Sequence, residues 1–179
     1  FPYTTLFRSF SKIKELQSLA KLQKEISISL GVVVMNGSES FSSEEWLELH
    51  STLFNEVLLS KMTYRELKVL VRYSKADQIG ESRSDFDPFW KQISFYPNPD
   101  HLSNILAFNG SLVHELGHAY AAENPAEFDV FRSQFLNWSS PSRYGQSSPE
   151  EGFAENFVYQ LYLAGDIKID SRRFNLVLN

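Results

Sequence analysis

His114, Glu115 and His118 stand in the order H-E-x-x-H. Four histidines and 15 glutamates among 179 residues would give that order by chance about 0.007 times per chain, so the pattern is a signal. On a helix each residue turns the chain by ~100°, which puts His114 and His118 about 40° apart on one face. Two imidazoles so placed can take two corners of a zinc tetrahedron with bonds of ~2.0–2.1 Å. Glu115, roughly 100° round from His114, can touch a water on that metal without being a ligand itself. The chemistry implied is hydrolysis by a metal-activated water, with Glu115 as general base. Gly117 and Ala121 are small, which would let another helix approach the same face.

A catalytic zinc needs a third protein ligand and one open position. His50 falls in a long helix and His101 in a turn after Pro99-Asp100, where local satisfaction or solvation accounts for each. The better source is Ser148-Pro149-Glu150-Glu151-Gly152-Phe153-Ala154-Glu155. Measured from Glu151 at ~100° per residue, Glu155 lies at about 40°, Tyr162 at about 20° and Val158 at about 340°. Two carboxylates therefore share a face with apolar side chains, and buried carboxylates require a cation or strong hydrogen bonds. A metal for Glu151 and a ligand histidine N–H for Glu155 would supply both. Two alternatives stand beside this reading. Ser148-x-x-Glu151 is also a capping box, and Glu155 could pair with Arg132 or Arg143.

His114-Glu115-x-x-His118, followed by Tyr144, Glu151 and Glu155, resembles the glutamate-zincin metallopeptidases of the anthrax lethal factor and Pro-Pro endopeptidase group. A tyrosine seven residues before the ligand glutamate, and a second glutamate four after it, match that group's arrangement. The resemblance implies one zinc held by His114, His118 and Glu151, with Glu115 as general base and Tyr144 as oxyanion stabiliser. It implies that Glu155 supports a ligand histidine, that the substrate is a peptide or protein, and that the protein is secreted. It covers residues 91–163 with specific motifs. The alternative for Tyr144 is a surface anchor in a polar loop, residues 140–148, where Gly145 lets the chain bend.

The elements that would position these residues follow from periodicity and punctuation. Residues 12–23 repeat apolar side chains as a short amphipathic helix, and residues 26–35 read as a buried strand stopped by Asn36-Gly37. Phe41-Ser42-Ser43-Glu44-Glu45-Trp46 is a helix start with a capping box and a hydrophobic staple, running to about residue 59. Residues 67–73 form a second strand. Residues 77–89, with Gly80, Pro88 and four acidic side chains, read as a loop. Residues 91–96 alternate as a third strand, a candidate edge for pairing an extended substrate; an interior strand is the alternative. From about Ile105 the chain is helical, at 105–123, 125–136 and 148–163, with a serine-rich loop at 137–148. Residues 167–178 add a strand or pack as a tail. The fold class is α+β, zincin-like: a small N-terminal sheet with helices, then a helical half.

Composition sets the outer limits. Hydrophobic residues are 42% and aromatic residues 15%, enough for a core and too many for a disordered chain. The absence of cysteine excludes a disulfide scaffold, a thiolate zinc site and a cysteine nucleophile together. A net charge of -5 argues against a nucleic-acid partner, and no apolar run reaches the ~20 residues of a membrane span. Between Asp100 and Gly165 there are eight acidic and two basic residues, so the carboxylate chemistry gathers in that half. Residues 1–9, FPYTTLFRS, read as a translated sequencing adapter and are expected to contribute nothing. Residues 10–179 are then one domain. The rival from another class is a non-catalytic binding domain that keeps a vestigial metal site within a larger toxin or surface protein. An intact Glu115 speaks against it, since a structural zinc has no use for that carboxylate.

Overall fold

The computed structural model describes residues 33–36, 68–71, 84–95 and 105–174, with Lys21 and Lys24 in helical conformation. The helix expected at 42–59, most of that at 12–23, residues 1–9, His50 and His101 lie outside the described residues. The described chain has an α+β arrangement, a small sheet followed by helices.

Strands β1 (Val33–Asn36), β2 (Lys68–Val71), β3 (Ser84–Asp87) and β4 (Gln92–Phe95) form one sheet in the order β1-β2-β4-β3. β1 and β2 are parallel, with Val33 opposite Lys68, and β2 and β4 are parallel, with Lys68 opposite Gln92. β3 runs antiparallel to β4, with Phe86 opposite Ile93. Two expectations are corrected here. The segment 91–96 is not an edge: β4 has β2 on one side and β3 on the other, and Ile93, Ser94 and Phe95 are all buried. The segment 77–89 is not all loop, because it contains β3, the strand at the sheet's end among the described residues. Its sequence, Ser-Asp-Phe-Asp, carries no run of alternating apolar residues, which is why its pairing was hidden. Asp87 and Pro88 belong to the tight hairpin that follows. Asp87 Oδ1 accepts from the backbone N–H groups of Phe89 (2.9 Å) and Trp90 (3.0 Å), the Asx-type closure expected of aspartate at a turn.

Helix α1 (Ile105–Glu123) lies against β3 and β4, and α2 (Pro125–Gln134) and α3 (Pro149–Ala164) follow. Leu112, Val113, Leu116 and Ala119 of α1 are fully buried with Ile93 of the sheet and Ala154 and Val158 of α3. α1 and α3 touch closely at Gly117. A Cβ there would stand 2.9 Å from the Ala154 Cα, so the glycine is what lets the two backbones meet. Proline at the first position and Ser148 at the N-cap start α3, with Ser148 Oγ accepting from the Glu151 N–H at 3.2 Å. Gly165, left-handed at φ 80°, ends it. Beyond it, residues 166–174 form a packed tail rather than a strand. Ile167, Ile169 and Phe174 are buried, and Ser171–Arg173 make a short 3₁₀ turn.

Candidate metal centre

The α1–α3 contact decides where the histidines face. His114 and His118 leave α1 one turn apart and meet Glu151 from the first turn of α3. Their Nε2 atoms are 3.0 Å apart, and Glu151 Oε2 is 2.9 Å from the first and 3.4 Å from the second. Ligands at the corners of a zinc tetrahedron with bonds of ~2.0–2.1 Å are about 3.3–3.4 Å apart. The triangle observed has nearly that size, and two imidazole nitrogens with one carboxylate are a donor set suited to a divalent cation. His114, His118 and Glu151 can therefore hold a metal ion.

Glu151 also resolves its two alternatives. Its backbone N–H serves the Ser148 cap while its carboxylate faces the histidines, so capping and ligation use different atoms of one residue. Glu155, fully buried, lies 2.8 Å from His114 Nδ1. With Nδ1–H as donor, this bond fixes the tautomer that leaves Nε2 free for a cation. Neither expected arginine reaches Glu155. Arg132 pairs with Asp129 at 2.8 Å, and the partner of Glu155 is Arg173, whose Nε donates to Oε1 (2.9 Å) and Oε2 (3.1 Å).

Glu115 is buried beside the histidines, 4% exposed, and accepts a hydrogen bond from Ser84 Oγ of β3 at 2.7 Å. Tyr144 stands in a 3₁₀ turn, Tyr144–Gln146, with its ring centroid 5.6 Å from that of His114. The structure thus brings together all six residues singled out in the sequence. A cleft of about 400 Å³ opens over five of them, with Glu155 fully buried outside its lining. Ser84, Asp85 and Phe86 of β3 line one wall, Tyr144 another, and Phe128 of α2 adds an apolar patch.

The electrostatics are those of a site short of positive charge. Burial would lower the His114 pKa, but hydrogen bonds to Glu151 and Glu155 outweigh it and raise it to about 9. Burial would raise both carboxylates. His114 and His118 instead hold Glu151 well below its usual range, and His114 and Arg173 hold Glu155 at about 2. Burial pushes Glu115 up, with His114, His118 and the bond from Ser84 pulling partly back. Burial, then the Glu151 charge and a hydrogen bond to it, push the Tyr144 phenol above its usual range, so it remains a proton donor at neutral pH.

Sequence reasoning missed two residues, Ser84 and Arg173. Neither had a local signal: Ser84 lies 31 positions before Glu115, and Arg173 lies 18 after Glu155 in a segment with no recognisable pattern. In comparisons with known proteins, no family model, no curated protein and no solved structure matches this chain.

Proposed function

We propose that this chain is a zinc-dependent endopeptidase with a zincin-like α+β fold. The observation that carries the reading is the convergence of His114, His118 and Glu151 at ligand spacing, with the Glu115 carboxylate buried beside them in one open cleft. The resemblance of the residue pattern to the lethal factor and Pro-Pro endopeptidase group supports the same reaction. Bound zinc supplies a Lewis acid for the scissile carbonyl and lowers the pKa of water toward ~7.

The chain's own residues do the rest. Glu115, raised by burial, accepts a proton from the attacking water and passes it to the leaving amine. Ser84 holds the Glu115 carboxylate in place from the cleft wall. Tyr144 turns its O–H from Glu151 to the carbonyl oxygen, where negative charge develops. Glu155 keeps His114 in the ligating tautomer. β3, the terminal strand among the described residues and a wall of the cleft, takes the role of aligning an extended peptide that was earlier expected of residues 91–96.

The test is reversible removal of the metal. Zinc-loaded protein should cleave peptides from a random mixture, a strong chelator should stop the cleavage, and stoichiometric zinc should restore it. Cleavage that persists in the metal-free protein would refute a zinc peptidase, and no cleavage in any state would leave a binding domain as the function.

A further inference from the structure

The tail after α3 is tied down on both sides of Arg173. Gly165 N–H and Asp166 N–H bond back to Tyr162 O and Leu161 O at 3.0 Å each, which turns the chain toward α1. Asp170 N–H then donates to Leu106 O (3.3 Å), Asn109 Nδ2 donates to Lys168 O (3.4 Å), and Ile167 and Ile169 are buried. On the far side Phe174 is buried against Tyr159 and Tyr162, at ring separations of 5.0 and 5.8 Å. Between these anchors the two consecutive arginines part company. Arg172 turns outward to the exposed side of Asp170. Arg173 turns inward, only 24% exposed along its side chain, and gives both Nε and Nη2 to Glu155.

Room for this inward turn comes from α1. Gly110 sits one helical turn before His114, and a Cβ there would stand 3.3 Å from Arg173 Nη1. The guanidinium therefore enters over the same face of α1 that carries His114.

Resting on the proposed zinc centre, we propose that Arg173 is a positioning residue of that centre, acting through Glu155 on His114. Glu155 has no exposure, and a carboxylate so placed needs a full positive charge as partner. A histidine whose Nε2 is given to a metal is neutral and offers Glu155 only an N–H dipole. Arg173 supplies the charge, and its fork holds both oxygens so that Oε1 faces His114 Nδ1. Nδ1 donates its proton to Glu155, so the 3.0 Å approach of Arg173 Nη2 to Nδ1 is a proximity and not a second bond. The tail is thus part of the metal centre, although it contributes no ligand.

The experiment compares zinc affinity, by competition with a chromophoric chelator, across wild type, Arg173→Met, Arg173→Lys and Arg172→Met, with the fold of each metal-free protein checked by near-ultraviolet circular dichroism. Arg173→Met should bind zinc about 10–100-fold more weakly, the range typical of losing a partner of a ligand histidine. Arg173→Lys should recover part of that loss, and Arg172→Met should match wild type. A folded Arg173→Met with wild-type affinity would overturn the inference. Failure of the zinc centre itself looks different: wild type and His118→Ala would then bind equally weakly. Should Arg173→Met not fold, the wild type answers instead through the Arg173 Nε–H resonance. It should shift on adding zinc as the His114–Glu155 pair changes; a resonance indifferent to zinc would overturn the inference.

Discussion

His114 faces carboxylates at both ring nitrogens, and that double contact governs how the site meets a metal. With its pKa raised to about 9, the ring carries an extra proton at neutral pH in the metal-free protein. A cation must take the place of that proton at Nε2. The sign follows: zinc affinity rises with pH while His114 is protonated and levels off above about 9. At pH 7, calorimetry in buffers of different ionisation enthalpy should find about one proton released from His114 per zinc bound, and none would contradict the protonated pair. Tyr144 is more than half exposed, as a surface anchor would be, yet its hydroxyl is drawn to Glu151. Tyr144→Phe keeps the ring and removes the donor. It should lower kcat by ~10²–10³, about 3–4 kcal/mol, since an oxyanion donor acts in the transition state alone. KM, zinc content and Tm should change little. A fully active Phe variant would return Tyr144 to the surface and leave the carbonyl to the metal.

At the scale of elements, the site exists because α1 and α3 approach closely enough for ligands from each to share one ion. Gly117→Ala tests that approach. Alanine gains up to about 1 kcal/mol of helix propensity over glycine, but its Cβ would stand 2.9 Å from the Ala154 backbone, which cannot rotate away. Overpacking of this kind typically costs about 1–3 kcal/mol. The variant should melt lower and bind zinc more weakly, and an unchanged Tm with unchanged affinity would show that the helices are not held at this point. The helical half was legible because its punctuation is local. Pro125, the Ser148-Pro149 start and the spacing of His114, His118, Glu151 and Glu155 each speak within one or two turns. β3 was not legible, since a terminal strand with one side on a polar cleft has no apolar face to display along its whole length. Misplacing it also misplaced the edge, because β4 reads as an edge only while its neighbour goes unseen.

Across the whole molecule, three of the eight acidic residues between 100 and 165, Glu115, Glu151 and Glu155, gather around His114, His118 and Arg173. The six chemistry-bearing residues were legible before the fold, whereas Ser84 and Arg173, which orient Glu115 and Glu155, were not. Contacts made over 31 and 18 positions depend on how strand, helix and tail pack together, and no spacing rule encodes them. No helix among the described residues is long and apolar enough to cross a membrane. The role proposed for Glu115 is a proton transfer at a metal it does not bind. It is tested most directly by digesting a peptide library with wild type and Glu115→Gln at equal, measured zinc content. Glutamine keeps the size and the contact with Ser84 but cannot take a proton. One zinc per chain is expected in both proteins, with cleavage by the wild type and a loss of at least about 10²-fold in the variant. A Glu115→Gln protein that cleaves as fast as wild type would contradict it.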